Sequence, residues 1–207
     1  SAAPRIEFVP CAQFTSLDAS SRAECGHLLA PENRQNANSR EIRIAFILLR
    51  SRAAEPAADP LVLMAGGPGS RGLQPEGMDQ NPILDVRDVL WIEQRGVGLS
   101  TPALDCPAYR DAEQRAARGE IRARQLQRQQ IDAARHCAER ARAEEVDLTG
   151  YNSIEMAADI DDLRRLLGYA QISLYGQYFS GRVMSVVARD YPASVRAIVL
   201  NSPLPIE

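Results

Sequence analysis

The sequence predicts an α/β fold in which a mostly parallel sheet carries helices on both faces. Short, almost continuously apolar segments alternate with segments of helical periodicity, which is typical of parallel strands that are covered on both sides. Two of the apolar segments end abruptly at glycine-containing turns, as buried strands do when they run into tight loops. With 207 residues, of which 45% are hydrophobic, the chain can bury one sizeable core.

Seven segments are predicted to be strands. The first two belong to an N-terminal arm, and the turn after them, residues 31–39, is rich in Asn and Gln. The third segment begins with alternating hydrophobicity and becomes continuously apolar, which indicates a strand covered first on one face and then on both. The last segment is predicted to be a buried strand. The seven cover residues 5–9, 26–29, 41–49, 60–64, 86–93, 172–175 and 195–201.

Three regions are predicted to be helical. Residues 107–147 are highly charged and interrupted once, at Gly119; because acids and arginines nearly balance, a solvated helical excursion is favoured over a nucleic-acid-binding helix. A second helix over 154–167 has Asn152 as N-cap, with Glu155 completing a capping box, and Gly168 at its end. The third covers residues 182–189 and closes before Pro192.

Composition limits the possible environments and partners of the chain. A net charge of −3 gives no global attraction to nucleic acid or to an anionic membrane. No apolar run approaches the roughly 20 residues that span a bilayer. The first four residues, Ser-Ala-Ala-Pro, resemble what remains after removal of a signal peptide, although a chain trimmed by design would look the same.

Four cysteines form an even set without Cys-x-x-Cys spacing. Pairing in sequence order would give Cys11–Cys25 and Cys106–Cys137, and two disulfides imply a secreted or periplasmic protein. Zinc binding is the competing interpretation, but only His27 and His136 are available as further ligands and no ligand spacing is present. No metal and no cofactor is therefore expected.

Residues 172–182 lie between an apolar strand and a helix, the setting of the nucleophile elbow Gly-x-Ser-x-Gly. In that motif a sharp strand-to-helix turn exposes the attacking side chain. Here Gly176 is the first glycine, Tyr178 holds the nucleophile position, and Ser180 stands at the last glycine position. The elbow itself is predicted from Gly176, Gln177 and Gly181. The pattern therefore predicts a hydrolase scaffold in which tyrosine replaces the usual serine.

Five ordered landmarks resemble the secreted tripeptidyl aminopeptidase branch of the α/β-hydrolases, relatives of the proline iminopeptidases. The resemblance covers nearly the whole chain. The family pattern Tyr-Gly-x-Ser-Tyr-Gly-Gly-Arg corresponds without a gap to Tyr-Gly-Gln-Tyr-Phe-Ser-Gly-Arg at 175–182, and Glu93 stands where the family has Asp. The landmarks are the cysteine arm at 8–25, the glycine loop at 65–69, the segment at 91–102, the helix at 159–164 and the strand at 195–200.

The resemblance implies that the acid and the histidine of a catalytic triad follow a lid, in the order nucleophile, Asp, His. Residues 1–207 are then the N-terminal part of a single α/β-hydrolase domain, with a disulfide-tied helical excursion at about 107–147. The lid and the C-terminal part would come from a second chain or fragment, which is the predicted partner. His27 in the arm and His136 in the charged helix are not expected to replace the base, which must lie within hydrogen-bond reach of the nucleophile.

Tyr178 allows three interpretations. It can fill the pocket as an inert plug, because a neutral phenol is far bulkier than a serine hydroxyl. It can itself be a nucleophile. In the third interpretation the elbow is shifted by two residues, so that Ser180 is the nucleophile. The shift would place bulky side chains where the turn tolerates little. Backbone N–H groups of Gly66, Gly67 and Phe179 are the predicted oxyanion donors, and a simple glycine turn is the competing interpretation of the first two.

Two groups of charged residues are predicted to be structural. Glu93 and Arg95 are expected to brace the loop beneath the pocket. Asp159, Asp161 and Asp162 are expected on a solvated helix face with local arginine partners, because a helix directs 159 and 161 to different sides and so disfavours a metal cluster.

The predicted function is a secreted hydrolase-family protein that acts on peptide N-termini or small acyl or ester compounds. The alternative is a non-catalytic binding protein that retains the pocket and has lost the nucleophile. The elbow substitution favours the second function, and the resemblance favours the first. Residues that would identify the substrate are expected in the lid.

Overall fold

The computed structural model describes residues 3–15, 22–73, 77 and 80–205. The chain divides into two compact units. One comprises Ser1–Ala103 and Gly150–Glu207, and the other comprises Leu104–Thr149. The first unit contains the sheet, and the second contains a helical hairpin.

Seven strands form one mixed sheet in the order β1-β2-β3-β5-β4-β6-β7. The four strands β4 to β7 run parallel to one another. The first three strands pair antiparallel among themselves, and β3 joins β5 antiparallel. All seven predicted strands are thus confirmed. Their bounds are Arg5–Val9, Ala23–Pro31, Glu41–Leu49, Leu61–Leu63, Val89–Ile92, Ile172–Gln177 and Val195–Asn201 for β1 to β7.

The hydrophobic core has two layers because β3 is apolar on both faces. Ile42, Ile44, Phe46 and Leu48 point to one face, where they pack with buried side chains of the helices α3 (Ser153–Leu166) and α4 (Phe179–Asp190). Ala45, Ile47 and Leu49 point to the other face and join a smaller cluster. Each face thus has its own apolar cover, as the continuous hydrophobicity of residues 44–49 predicts.

The hairpin unit consists of α1 (Pro107–Ala117) and α2 (Ala123–Ala143), separated at Gly119, which adopts a positive φ of 77°. A disulfide joins Cys106, directly before α1, to Cys137 within α2. The second disulfide joins Cys11 to Cys25 in the N-terminal arm. Both pairings follow sequence order, as predicted.

Loss of the Cys106–Cys137 disulfide should weaken the hairpin strongly, because the two cysteines are 31 residues apart and few hairpin side chains are buried. We expect the double replacement Cys106→Ser with Cys137→Ser to cost about 3–4 kcal/mol. Hydrogen exchange of the α1 and α2 amides measures this loss. The control Ala134→Ser, at an exposed position of α2, should change protection by less than about 1 kcal/mol; equal protection in both variants would contradict the prediction.

The N-terminus of α3 differs from the predicted capping box. Asn152 is the N-cap, and its Oδ1 accepts from the N–H groups of Ile154 and Glu155 at 2.9 and 3.0 Å. The Glu155 carboxylate does not complete the box; it accepts instead from the backbone N–H and the guanidinium of Arg34. The capping pattern therefore locates the helix start correctly, but the Glu155 carboxylate forms an ion pair with the distant Arg34.

The aspartates of α3 are buried, so the predicted solvated face is wrong. Asp159, Asp161 and Asp162 are all less than 9% exposed. Arg34 pairs with both Asp159 and Asp162. Burial lowers the pKa of the guanidinium, but the charges and hydrogen bonds of these two carboxylates outweigh it and raise the pKa above its ordinary value. The predicted local arginine partners are present as well, since Asp161 pairs with Arg164 and Arg165 and Asp162 also pairs with Arg165. Long-range and local arginines thus together replace water as the partners of this face.

Arg95 is the centre of this buried network, and its side chain is fully excluded from solvent. It donates to both oxygens of Asp159 at 2.8 and 2.7 Å. It also donates to the backbone carbonyls of Pro31, Glu32 and Gly150. Arg95 therefore connects α3 to the end of β2. The sequence-based expectation that it braces the pocket loop is wrong.

Strand β7 is the last strand of the sheet, and it is exposed where a buried strand was predicted. Ile198, Val199 and Leu200 are 36%, 60% and 39% exposed. The apolar character of this segment was identified correctly, but in the described part of the chain β7 pairs with β6 alone. No helix in the described part of the chain is long and apolar enough to cross a membrane.

Candidate functional site

The candidate site lies where β6 ends and α4 begins. Tyr178 occupies the single residue between them with φ 51° and ψ −116°, outside the conformations that a non-glycine residue normally adopts. Its side chain is 53% exposed. The turn is held by the N–H of Tyr178, which donates to Asn201 O, and by its carbonyl, which accepts from Leu204 N–H. A side chain is thus presented to solvent from a strained backbone, as in a nucleophile elbow.

Close backbone approach explains the glycines of the elbow. A Cβ built on Gly176 would lie 2.6 Å from the Cα of Gly181, and one built on Gly181 would lie 2.8 Å from the Cβ of Pro203. The first turn of α4 therefore packs directly against the end of β6 and against the segment after β7. Only residues without a side chain fit at these two positions.

The substitution Gly176→Ala should therefore destabilise the protein by about 1–3 kcal/mol through overpacking. The added methyl group meets backbone atoms, which cannot move aside as a flexible side chain can. The control Gly168→Ala adds the same methyl group where no atom lies within 4 Å, at a residue with φ 81°. It should cost only the backbone strain, about 1 kcal/mol. Chemical denaturation measures both; a smaller loss for Gly176→Ala than for the control would refute the close-packing argument.

Ser180 lies in the first turn of α4 and is fully buried. Its hydroxyl donates to Gln177 O and accepts from Gln177 N–H, both at 2.9 Å. The hydroxyl thus fastens the helix start to the end of β6 and does not face solvent. The geometry is that of a structural hydroxyl, and it favours Tyr178 over Ser180 as the residue at the attacking position.

The glycine loop that follows β4, residues 65–69, is held by the side-chain amide of Gln94. Its Nε2 donates to Ala65 O at 3.1 Å and to Gly67 O at 2.8 Å, and its Oε1 accepts from Gly69 N–H at 3.0 Å. Gln94 is 1% exposed. Sequence reasoning did not single it out, although its position directly after Glu93 in the segment at 91–102 was the available signal.

The Glu93 carboxylate supports the next part of the same loop. Its Oε1 accepts from Gly72 N–H at 2.8 Å, and further backbone N–H bonds come from Leu73 and Gln94. Burial raises the pKa of Glu93 above its ordinary value, against the opposing effect of these bonds. Glu93 thus braces the loop, in line with the sequence-based expectation.

The predicted oxyanion donors do not converge in this structure. The N–H of Phe179 donates to the carbonyl oxygen of Gly66 at 2.9 Å. The peptide between Gly66 and Gly67 is trans, so the N–H of Gly67 points opposite to that carbonyl, away from Phe179. The oxyanion role of Gly66, Gly67 and Phe179 stays a prediction.

The two histidines of the chain lie on elements other than the elbow. His27 is buried in β2, with Nε2 3.3 Å from Leu99 O and its ring edge-on to Phe14. Burial and the nearby Arg43 guanidinium lower its pKa. His136 is exposed on α2 in the hairpin unit. Within the described ranges, no group of three His, Cys, Asp or Glu side chains is placed to hold a metal ion.

Comparison with known proteins supports the same fold. The family model of the α/β hydrolase fold matches residues 59–207. YuaR of Escherichia coli, provisionally named a hydrolase, is 26% identical over an alignment of 193 positions that covers 88% of this chain and 36% of that protein. Serine protease Hip1 of Mycobacterium tuberculosis is 25% identical over an alignment of 207 positions that covers 95% of this chain and 39% of that protein. The chain thus spans less than two-fifths of the length of these relatives.

Two solved structures share the fold at low sequence identity. A probable hydrolytic enzyme from Pseudomonas aeruginosa superposes with a TM-score of 0.53 at 16% identity, covering 93% of this chain and 45% of that one. An esterase from Thermogutta terrifontis superposes with a TM-score of 0.51 at 16% identity, covering 87% of this chain and 47% of that one.

Proposed function

Because the chain belongs to the α/β hydrolase fold family, we propose that its elbow is a ligand-binding pocket for small acyl compounds or peptide N-termini. We propose further that the pocket binds these ligands without serine-type acyl transfer. The observation that carries this proposal is the backbone of Tyr178, which has the strained positive φ of an elbow nucleophile while carrying a phenol.

Three features support binding over catalysis. The phenol of Tyr178 is bulkier than a serine hydroxyl, so it fills space that a serine would leave open to a substrate. The nearby hydroxyl of Ser180 is buried and bonded on both sides to Gln177. The N–H of Phe179 is already paired with Gly66. An acyl-transfer site needs an accessible nucleophile and free donors for the oxyanion.

The ligand class rests on the resemblance to aminopeptidases and on the named relatives, one of which is a serine protease. The glycine loop and the elbow meet at Gly66, where a built Cβ would lie 2.9 Å from Gln177 O and 3.6 Å from the Tyr178 ring. Backbone amides at such a junction suit a carbonyl or carboxylate oxygen. We therefore expect ligands with a small acyl or carboxylate group.

A catalytic function with Tyr178 as nucleophile is the second candidate. Its exposed side chain, at the attacking position of the turn, favours this candidate over a nucleophilic Ser180. The phenol oxygen would attack the acyl carbon, a base would take its proton, and the leaving group would depart with an acyl-tyrosine formed. By the resemblance to the aminopeptidases, the base would come from outside residues 1–207.

We also propose that residues 1–207 are the N-terminal part of one hydrolase domain and that β7 pairs with a strand from the remaining part. The exposed apolar residues of β7 support this, since an unpaired apolar edge promotes aggregation. The remaining part would come from elsewhere in the polypeptide or from a second chain. It would bring the lid and the substrate-determining residues.

The two disulfides support a secreted or periplasmic location. This location agrees with the aminopeptidase branch that the sequence resembles. It stays a proposal, which fractionation of the producing cells would test.

The full-length protein separates binding from catalysis in one experiment. We expect isothermal titration to detect binding of short carboxylates or N-terminal peptides, while the same protein hydrolyses 4-nitrophenyl acetate and peptide amides no faster than a heat-inactivated sample. Turnover at rates ordinary for enzymes, about 1 s⁻¹ or more, would refute the binding function and favour the tyrosine nucleophile. Absence of both binding and turnover would refute the ligand class itself.

A further inference from the structure

We propose that the peptide between Gly66 and Gly67 is a two-position switch that closes and opens the anion pocket of the elbow, with Gln94 as the positioning residue that holds the peptides on either side. This inference rests on the proposed function, because it needs a ligand oxygen at the elbow. In the closed position, seen here, the carbonyl of Gly66 accepts from the N–H of Phe179, the same donor that a ligand oxygen would need.

The closed position satisfies a group that would otherwise be unpaired. Phe179 is the first residue of α4, and the first N–H groups of a helix have no partner within the helix. The Gly66 carbonyl accepts from this N–H at 2.9 Å. Without a ligand, the closed position is therefore favoured, because an unpaired N–H at a partly buried site is costly.

Gln94 holds the neighbouring peptides but not this one, whose carbonyl is bonded to Phe179. Gln94 bonds the carbonyls of Ala65 and Gly67 and the N–H of Gly69, but it does not bond the carbonyl of Gly66. A rotation of the single peptide plane therefore changes ψ of Gly66 and φ of Gly67 and leaves the flanking carbonyls in place. Glycine at both positions allows this rotation, because no Cβ restricts the backbone angles.

Rotation exchanges an acceptor for a donor at the elbow. In the trans peptide the carbonyl of Gly66 and the N–H of Gly67 point in opposite directions. When the carbonyl turns away, the N–H of Phe179 is released and the N–H of Gly67 turns towards it. Two donors then converge at the start of α4, where the helix dipole also favours negative charge. A ligand oxygen thus stabilises the open position, and its absence restores the closed one.

Nuclear magnetic resonance on the full-length protein reads this hydrogen bond directly. The protein is labelled with ¹⁵N-phenylalanine and ¹³C-carbonyl glycine. The scalar coupling between the amide nitrogen of Phe179 and the carbonyl carbon of Gly66, which exists only across their hydrogen bond, should be detected without ligand and lost when sodium acetate saturates the site. The coupling from Ser70 N–H to Gly67 O, a bond of 3.1 Å that the switch leaves intact, is the internal control in a sample that also carries ¹⁵N-serine. Acetate binding at the elbow with an unchanged Phe179 coupling would overturn the switch and leave the proposed binding function standing.

A protein that binds no acetate and keeps the coupling would overturn the switch and the carboxylate preference together.

The variant Gln94→Leu tests the positioning role. It removes three hydrogen bonds at similar volume, so we expect the Phe179 coupling to weaken without ligand and acetate affinity to fall about tenfold, the equivalent of roughly one hydrogen bond. Unchanged coupling and affinity in a folded Gln94→Leu protein would show that Gln94 does not hold the switch.

Discussion

Replacement of Arg95 by alanine is expected to lower the free energy of unfolding by about 3–5 kcal/mol. The side chain is fully buried, and its hydrogen bonds go to Asp159 and to three backbone carbonyls, all lost together. Asp159 keeps only Arg34 as a charged partner. Denaturant unfolding of the full-length protein measures the loss, which for a fold of marginal stability is a large fraction of the total.

Two variants accompany this measurement. Arg95→Lys keeps the charge but lacks the planar fork that reaches several acceptors, so an intermediate loss is expected. Arg52→Ala breaks an ion pair with Asp85 whose side chains are 40% and 62% exposed, and should cost less than about 1 kcal/mol. If Arg95→Ala were as mild as Arg52→Ala, the buried network would not be the connection between α3 and β2 that its geometry indicates.

The substitution Tyr178→Ser in the full-length protein is expected to raise the hydrolysis of 4-nitrophenyl acetate at least about a hundredfold over the natural chain. The elbow backbone already has the positive φ that presents a nucleophile, so the change supplies a hydroxyl at an existing position. A histidine and an acid from outside residues 1–207 would activate it, with the histidine taking the proton of the attacking hydroxyl.

The matched control for this substitution is Tyr178→Ala. It removes the same phenol without adding a hydroxyl, so any effect of simply opening the pocket appears in both variants. We expect Tyr178→Ala to stay at the level of the natural protein. Equal activity in the two variants would contradict a nucleophile at position 178, and a folded Tyr178→Ser protein without activity would show that the remaining polypeptide supplies no base.

The architecture was largely predictable because each strand carries its pattern locally. The continuous hydrophobicity in the second part of β3 indicates a strand with two covered faces, and Gly168 and Asn152 mark the ends of α3 by local chemistry. The exposure of β7 was not predictable from its own residues, since an apolar strand looks the same at the edge of a sheet as within it. The partners of the α3 aspartates were also missed, because Arg34 and Arg95 are distant in sequence.

The position of the elbow followed from the strand–glycine–helix pattern, and the structure places a positive φ at Tyr178. The state of the glycine loop did not follow from the sequence. A pattern indicates which N–H groups can come together, but the orientation of a single peptide plane depends on a hydrogen bond to another element, here from Phe179 to Gly66. The role of Gln94 was hidden for the same reason, since its three bonds are all tertiary.

The most direct test of the elbow assignment is fluorophosphonate labelling of the full-length protein and of its Tyr178→Ser variant, with the adduct located by peptide mass spectrometry. We predict no adduct on the natural protein at 178 or 180 and a single adduct at position 178 of the variant. An adduct on Ser180 in either protein would contradict the account, because it would require the buried hydroxyl bonded to Gln177 to be the attacking group.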